Sequence, residues 1–513
     1  TLKNKLSHLL SPWFCFKYYD RIRWLIYNDQ LFNIENCLRG DHKLQLVERY
    51  VNPSSVELPN GIVLQEPVRI EGFLARMSDP FGDEVNLFKR FYKMLYFYSS
   101  DYMLFYTKFF RGMPPSPGNK LMENFTQIGE VCESIGDFYE HLIFPLDSNS
   151  HVEWFNEKDF TQGNKVATDE CKRSIHQIIK ANGVIDMRLI KDIKKVPIDK
   201  VNVFQRSLHA LMWYGSDSAL ETEEFVDSAF ELEMVYGSKL LLQAPNRKVR
   251  DEWLARLLEL KRYWLAKSKS LSDLNMKVRQ ANTSRLELTQ YVDSNINSET
   301  NPVELQHSIA DPRVYNMDGI GLNRQVSISG YLYVKYKKHT AFLRRFVVVC
   351  PGFIRIFRIH KKSKITGVCK DMSCFEHQMT IPVNDTYLYS GELTADILNS
   401  SHNEFNSKEP GHYQLPRVYI DGWRSMEEEP TKCFNLWVGN KRDIHKVSKS
   451  GLKKFDVEMP KNPGFMKLYK NFGVTGKNVL FLCRSRQEKE LWVSNIQNEV
   501  NRFASLERFK RNL

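Results

Sequence analysis

The chain has 513 residues, a formal net charge of +12 and 42% hydrophobic residues, a composition typical of globular domains rather than of disordered or fibrous proteins. No apolar run comes near the roughly 18 residues that a membrane-spanning helix needs. The nine cysteines are scattered without a Cys-x-x-Cys pair, which indicates a reducing cytoplasmic environment. The positive charge favours an anionic partner, either a membrane surface or nucleic acid.

The chain begins with a segment, residues 1–65, that we predict to be partly helical. Tyr19, Ile22, Ile26 and Leu31 recur there at near-helical spacing. The segment also mixes aromatic and basic residues, a combination that suits an interfacial helix. Such an apolar stripe packs more often against a neighbouring domain, and we favour that interpretation.

Residues 68–268 change to the pattern of short strands. The stretches VRIEGFLARMS, FKRFYKMLYFYSS and YMLFYTKFF are rich in aromatic residues and are bounded by turn residues. Residues of about 111–200 are mixed in character, and we interpret them as an insertion. The unit ends in a predicted amphipathic helix that places Val249, Trp253, Leu257 and Leu260 on one face.

A polar stretch, residues 269–325, predicts a linker that is helical at first and loose later. The strand pattern returns in residues 326–506 with GYLYVKY, FLRRFVVVC and FIRIFRI. Irregular stretches at about 384–430 and 443–475 are interpreted as insertions in this second unit. A short basic tail, residues 507–513, closes the chain.

The two units form an internal repeat. Gly72-Phe73-Leu74 matches Gly330-Tyr331-Leu332, and the closing helices align so that Trp253 matches Trp492. Each unit therefore consists of several strands in meander order followed by one amphipathic helix. We expect each Trp to be a buried anchor of a helix that covers one open end of a bent sheet.

This arrangement resembles the pleckstrin homology (PH) domain, in which a Gly-aromatic-Leu strand comes first and a helix carrying a Trp comes last. The resemblance implies a mainly β fold with α-helices. It predicts two PH-like bent-sheet barrels, each with a C-terminal capping helix and insertions, plus the N-terminal helical segment. Each unit is longer than a simple PH domain, so we expect both to be split by their insertions.

The pairing of two split PH domains behind a short N-terminal segment resembles the C-terminal part of a fungal family of sporulation proteins. The stretch LPNGIVLQEPVRIEGFLARM carries this likeness most strongly. The resemblance implies a role at the prospore membrane during meiosis. It also implies a protein partner such as a bridge-like lipid-transfer protein of the vacuolar-sorting class.

The first hairpin of the second unit is the candidate lipid site. PH domains that bind phosphoinositides use a Lys on the first strand and an Arg before an aromatic residue on the second. Lys335 and Lys337 share a face of the first strand, Arg345 precedes Phe346, and their spacing suits a hairpin that brings them together. The predicted lipid-binding residues are Lys335, Lys337, Lys338, Arg344 and Arg345.

Leu343 stands where strong lipid binders carry a further basic residue, which favours moderate binding to anionic lipid over selective binding of one headgroup. The alternative for the whole hairpin is a basic surface that is simply solvated.

A weaker lipid site is predicted in the first unit at Arg76, Lys89 and Arg90. The hairpin loop there contains Asp79, Asp83 and Glu84, whose carboxylates repel phosphate. We therefore expect the first unit to serve packing or protein contact. Phe81 at the loop tip could insert into a membrane interface, but local packing is the expected role.

Known catalytic motifs do not appear in the sequence. GVTGKNVL resembles part of a phosphate loop but lacks its first Gly, and Asn478 replaces the Ser or Thr that binds magnesium. The 13 His residues include no His-Glu-x-x-His spacing. No catalytic residue, metal site, cofactor or nucleic-acid partner is therefore predicted.

The sequence thus predicts a non-enzymatic, cytoplasmic protein, peripheral on the prospore membrane. It would act as an adaptor that binds anionic lipids, including phosphoinositides, and recruits a protein partner. The alternative is a protein-interaction scaffold whose PH folds bind no lipid.

Overall fold

The computed structural model describes strands and helices between residues 10 and 500. The described residues are 10–18, 21–24, 43–50, 56–67, 69–86, 89–114, 170, 172–196, 228–285, 326–336, 342–362, 369–383, 386–390, 394, 432–438, 445–448, 451–453, 477–484, 488–497 and 499–500.

Strands dominate this part of the chain. They are β1 Leu10–Tyr18, β2 Arg21–Trp24, β3 Lys43–Tyr50, β4 Val56–Glu57, β5 Val63–Leu64, β6 Glu71–Arg76, β7 Val85–Asn86, β8 Lys89–Arg90, β9 Lys93–Ser100, β10 Met103–Lys108, β11 Gly183–Asp186, β12 Ile190–Lys195, β13 Ala229–Met234, β14 Lys239–Gln243, β15 Ile328–Lys335, β16 Leu343–Cys350, β17 Phe353–Lys362, β18 Cys369–Pro382, β19 Thr386–Ser390, β20 Cys433–Val438, β21 His445–Ser448, β22 Gly451–Lys453 and β23 Lys477–Leu482.

Among the described residues, three helical segments accompany the strands: α1 at 172–180, α2 at Arg247–Arg285 and α3 at 488–497. Two short 3-10 turns, Phe109–Arg111 and Met187–Leu189, follow strands β10 and β11.

Two seven-stranded bent sheets with the same strand order account for most of the described strands. The first barrel runs β12-β13-β14-β6-β9-β10-β11, and the second runs β18-β17-β16-β15-β23-β20-β19. In each barrel the first strand pairs with the second and the seventh, so the topology of the predicted repeat is confirmed. The mainly β fold is likewise confirmed, with α2 and α3 as the closing helices.

Each barrel has its own apolar core beneath its closing helix. Trp253, 2% exposed, packs with Leu257 in the core of the first barrel. Trp492, also 2% exposed, lies in the core of the second barrel beside Gly330. The two Trp residues are thus the buried anchors that the repeat predicts.

The barrels are joined edge to edge into one sheet, which reaches 16 strands because β21 pairs with β18 and β22 pairs with β21. Their fourth strands pair antiparallel, with Gly183 opposite Glu376 and Val184 opposite Phe375. A shared apolar cluster crosses the junction and includes Phe105 from the first barrel and Phe346 and Phe357 from the second. Because this core contains side chains of both barrels, the two barrels stabilise each other.

The N-terminal segment differs from the helical prediction. Strands β1, β2 and β3 form a separate three-stranded sheet there. An aromatic-rich run such as LSPWFCFKY favours a pleated strand, and the spacing of a few apolar residues cannot distinguish helix from strand over so short a stretch. The predicted helical positions Ile26 and Leu31 lie outside the described residues.

Several strands lie inside stretches that the sequence suggests are insertions. Strands β11 and β12 fall within residues 111–200, β19 falls within 384–430, and β21 and β22 fall within 443–475. The first two are the fourth and fifth strands of the first barrel, and β19 is the fifth strand of the second.

Candidate functional site

The first hairpin of the second barrel does not gather its basic residues on one face. Leu332 pairs with Arg345, and Tyr333 pairs with Arg344. Paired residues lie on the same face of the sheet, and successive residues along a strand alternate between faces. Lys335 therefore lies on the same face as Arg344, and Arg345 lies on the other face. The expectation that spacing brings Lys335 and Arg345 together is therefore wrong. Lys337 and Lys338 lie outside the described residues.

On the outer face, the predicted residues are largely packed. Lys335 is 3% exposed, and its Nζ lies 5.7 Å from the centre of the Phe342 ring. Burial lowers the pKa of Lys335 below its usual value. The guanidinium of Arg344 lies 4.6 Å from the centre of the Tyr331 ring, so both cations contact aromatic rings rather than solvent alone.

On the inner face, Arg345 meets a second arginine. Arg345 pairs with Arg358 across β16 and β17, and the phenol of Tyr336 lies close enough to oppose the lowering of the Arg345 pKa. That phenol donates to Oε1 of Gln378 at 3.2 Å. His360 lies close enough for Arg345 to affect its titration. We call these five residues the arginine cluster: Tyr336 just after β15, Arg345 on β16, Arg358 and His360 on β17, and Gln378 on β18.

The arginine cluster has unused hydrogen-bond donors. Arg345 is 5% exposed, and its Nη1 donates to the carbonyl oxygen of Arg344 at 2.9 Å. The Nε atoms of Arg345 and Arg358 are buried without an acceptor in the described part of the chain. Within that part, neither guanidinium forms an ion pair with a carboxylate. Burial, and to a smaller degree Arg358, lowers the pKa of Arg345, so this position would gain stability from an anion.

The sequence contains a signal for Arg358 that spacing within the hairpin misses. Ile354 and Ile356 face the core of the second barrel, and Arg358 continues the same alternation along β17. Arg345 continues the alternation of Val347 and Val349 in the same way. A basic residue that lies two positions beyond core-facing apolar residues, on each of two neighbouring strands, is the sequence pattern that indicates the pair.

The predicted second site, in the first barrel, is closed by the second barrel. Arg76 ends β6 and is 5% exposed, with its guanidinium 4.8 Å from the centre of the Phe91 ring and 5.4 Å from that of Tyr106. Cys374 of β18 packs into the core of the first barrel and contacts Arg76. The side chains of Lys89 and Arg90 lie outside the described part.

Strand β18 is held against the first barrel by its loops. Both the backbone N–H and the hydroxyl of Ser373 donate to the carbonyl oxygen of Pro80, at 2.8 and 2.7 Å. The hydroxyl of Tyr236 donates to the carbonyl oxygen of Met372 at 2.6 Å. These contacts place a strand of the second barrel across Arg76, which argues for packing at this position rather than for lipid contact.

The acidic loop of the first barrel also serves the junction. Asp79 accepts from the N–H groups of Phe81 and Asp83, at 2.8 and 2.9 Å, and so shapes its own turn. The Phe81 ring lies 5.5 Å from the Nζ atoms of both Lys361 and Lys370. Phe81 therefore packs locally against cations of the second barrel.

Other classes of site find no support in the part of the chain that the structure describes. No group of three or more His, Cys, Asp or Glu side chains is placed there to hold a metal ion. None of the helices described combines the length and apolar character that crossing a bilayer requires.

Comparison with known proteins identifies relatives of the chain. A family model of the pleckstrin homology domain matches residues 326–511. The chain is 30% identical over 557 aligned residues to the prospore membrane adapter protein SPO71 of Saccharomyces cerevisiae, covering 98% of this chain and 44% of that protein. It is 23% identical over 511 residues to the forespore membrane adapter protein MUG56 of Schizosaccharomyces pombe, covering 97% and 48% respectively.

The chain therefore spans about half the length of the curated relatives it matches. A solved complex of the PDZ-RhoGEF DH/PH domains with activated RhoA matches at 11% identity, covering 50% of this chain and 47% of that one, with a TM-score of 0.15 that supports no inference. Residues 326–511 thus match the pleckstrin homology domain family, and nearly the whole chain is similar to a fungal prospore and a fungal forespore membrane adapter protein.

Proposed function

We propose that the chain is a non-enzymatic adaptor, peripheral on the cytoplasmic side of the prospore membrane, that acts in membrane growth during fungal sporulation. Its second barrel binds anionic lipid, including phosphoinositide, through the arginine cluster. Two named adapter proteins are relatives of nearly the whole chain. The observation that carries the lipid site is the pairing of Arg345 with Arg358, whose Nε atoms are buried without an acceptor in the described residues.

The chemistry of the arginine cluster fits a phosphate group. A guanidinium offers a planar fork of donors that matches phosphate oxygens. Two guanidiniums on one face can approach the same phosphate, with the Tyr336 hydroxyl beside them. The absence of the basic residue at Leu343 still favours moderate rather than selective affinity, as the sequence suggests.

The first barrel, the insertions and the N-terminal segment are then available for protein partners. A bridge-like lipid-transfer protein of the vacuolar-sorting class is the partner that the family resemblance implies. The alternative function is a scaffold whose PH folds bind no lipid. The covering of Arg76 by β18 supports this alternative for the position of Arg76 in the first barrel, and not for the second barrel.

Removing both cluster arginines tests the lipid site. The variant Arg345→Gln with Arg358→Gln should bind anionic vesicles roughly 10- to 30-fold more weakly, because each basic group near an anionic surface contributes about 1 kcal/mol. The measurement is sedimentation with phosphatidylcholine vesicles that contain phosphatidylserine, with and without phosphoinositides, at several salt concentrations.

The matched control removes the same charge elsewhere. Arg247 and Arg262 are exposed on α2, and replacing both by Gln should weaken binding by less than about threefold through the net charge alone. Equal binding of the cluster variant and the wild-type chain would favour the scaffold function.

Binding should also depend on pH through His360. Burial, followed by the nearby Arg345, lowers the pKa of this imidazole below 6.5, whereas Asp371 acts in the opposite direction. A phosphate bound in the cluster raises that pKa again, so binding takes up a proton and strengthens as the pH falls from about 7.5 to about 5.5. Vesicle binding by His360→Gln should change less over the same pH range. If the wild-type chain and His360→Gln showed the same dependence of binding on pH, His360 would lie outside the binding site.

A further inference from the structure

The short turn after β10 exposes two adjacent aromatic side chains. Phe109 is 45% exposed and Phe110 is 64% exposed, and their rings meet edge to face at 5.6 Å. Exposure of a single large apolar side chain is common, but adjacent exposed rings form a patch that is costly to hydrate. None of the three residues of this turn is buried.

Two cations lie near the Phe110 ring, and a third lies on the neighbouring strand β9. Lys108 Nζ lies 5.6 Å and Arg111 Cζ 5.7 Å from the centre of the Phe110 ring. Lys93 lies at the start of β9, and partial burial of its amine, then the positive charges of Arg76 and Lys108, lower its pKa, with Glu376 opposing them. We call Lys93, Lys108, Phe109, Phe110 and Arg111 the aromatic patch. Among the described residues, no carboxylate forms an ion pair with any of its three cations.

Another exposed apolar pair shows that this combination is specific to the turn. Ile62 and Val63 are 47% and 54% exposed, but their loop, ELPNGIVLQE, contains two glutamates and no Lys or Arg. Exposed apolar side chains in this chain are therefore not always accompanied by basic residues. Aromatic rings beside cations suit the interface of an anionic bilayer, where rings lie at headgroup level and basic groups meet lipid phosphates.

The aromatic patch connects to the arginine cluster through a short series of hydrogen bonds. The backbone N–H of Lys108 donates to Oδ1 of Asn182 at 3.1 Å, and the N–H of His377 donates to the Asn182 carbonyl oxygen at 2.9 Å. Gln378, the next residue, accepts from Tyr336 of the cluster. The patch is thus attached to the same rigid junction as the cluster.

We propose that the aromatic patch is a second membrane contact, in which Phe109 and Phe110 insert among the headgroups of an anionic bilayer while Lys93, Lys108 and Arg111 contact lipid phosphates. This inference rests on the proposed membrane role but uses a different barrel and different residues. The two contacts act on one vesicle, so together they bind more tightly than either alone.

The test compares variants of the whole chain on vesicles of phosphatidylcholine alone, with phosphatidylserine, and with phosphatidylserine plus phosphoinositides. The double variant Phe109→Ser with Phe110→Ser should bind both anionic mixtures at least about tenfold more weakly than the wild-type chain. The preference for the phosphoinositide mixture over the phosphatidylserine mixture should stay unchanged. Ile62→Ser with Val63→Ser is the matched control and should bind like the wild-type chain.

A second measurement reports insertion directly. Phe110→Trp should gain fluorescence that brominated lipids quench in anionic vesicles, beyond any quenching of the wild-type chain. The cluster variant Arg345→Gln with Arg358→Gln should instead lose the phosphoinositide preference, which separates failure of the patch from failure of the proposed function.

The inference would be wrong if the double Ser variant bound phosphatidylserine vesicles as tightly as the wild-type chain does. It would also be wrong if Phe110→Trp showed no added quenching, or if the wild-type chain did not bind anionic vesicles. The last result would also overturn the proposed function. If the double Ser variant lost binding to an acidic polypeptide but still bound vesicles like the wild-type chain, the patch would be a protein-binding surface instead.

Discussion

Replacing Arg355 by Ala should destabilise the chain by about 3–5 kcal/mol, the range typical for removing one partner of a buried charged interaction. Arg355 lies on β17 of the second barrel and is 1% exposed. Its guanidinium donates to the carbonyl oxygens of Ile178 at 2.8 Å and Ala181 at 2.6 Å, in the first barrel. These hydrogen bonds join the two barrels at the centre of their shared core.

The size of the effect follows from what the substitution leaves behind. Ile178 and Ala181 lie at the C-terminal end of α1, where carbonyl groups lack partners within the helix and carry partial negative charge. Arg355 supplies both donors and the opposite charge. Burial lowers its pKa to about 10, so the guanidinium is still charged at neutral pH. Alanine would leave a cavity and would remove the donors of the Ala181 carbonyl, while the Ile178 carbonyl would keep only the backbone N–H of Ala181 at 3.3 Å.

Urea denaturation measures the loss, and two further variants assign its cause. Arg355→Met fills much of the volume but cannot donate, so it should fall between Ala and the wild-type chain. Arg262→Ala removes an exposed arginine from α2 and should change stability by less than about 0.5 kcal/mol. If Arg355→Ala also stayed within that range, the carbonyl groups of α1 would have other donors in solution.

Local patterns were sufficient to predict the repeat. The helix that carries Trp253 has four apolar positions at 3.6-residue spacing, and its counterpart carries Trp492 in register. Both residues are buried as expected, because a helix over one end of a bent sheet needs one large anchor. Strands β6, β9 and β10 likewise follow from aromatic runs between turns.

Long-range pairing explains what the sequence could not predict. Strand β11 has only four residues, and its partner β18 lies almost 200 positions later. Nothing local identifies it as a strand, so the sequence pattern places it inside an insertion. The burial of Arg76 has the same origin, since Cys374, which covers it, belongs to the other barrel.

The candidate site depends on register, which spacing alone does not determine. Lys335 and Arg345 are ten positions apart in a hairpin, and a shift of one residue moves a side chain to the opposite face. The observed pairing of Leu332 with Arg345 puts Arg345 inward and Lys335 outward. The inward partner, Arg358, comes from a third strand and Gln378 from a fourth, so the cluster forms only when four strands are aligned.

Replacing Gly183 by Val should cost about 3 kcal/mol or more, because it overpacks the junction at a point that cannot relax easily. Gly183 begins β11 and pairs with Glu376. A side-chain carbon there would collide with the carbonyl oxygen of Phe375 and with the phenol of Tyr106. The first obstacle is backbone of the other barrel, so relief requires the two fourth strands to separate.

Separation of those strands has a chemical readout at Cys374. The Cys374 thiol is fully buried, and burial raises its pKa, so it should react slowly with alkylating reagents in the wild-type chain. In Gly183→Val, alkylation at Cys374, mapped by mass spectrometry, should become faster. The matched control is Gly330→Ala, where the new carbon would meet only Trp492 Cζ2 at 3.4 Å, and both stability and alkylation should stay close to wild type.

The same variant also tests why Arg76 in the first barrel is covered rather than open to lipid. Cys374 contacts Arg76 and lies on the strand that closes the first barrel, so a variant that frees Cys374 should also uncover Arg76. Gly183→Val would then retain vesicle binding through Arg345 and Arg358, with an added contribution that Arg76→Gln removes. If Cys374 reacted equally slowly in all three chains, the pairing of β11 with β18 would not be what buries Arg76, and the loops at Pro80 and Tyr236 would have to hold the second barrel in place by themselves.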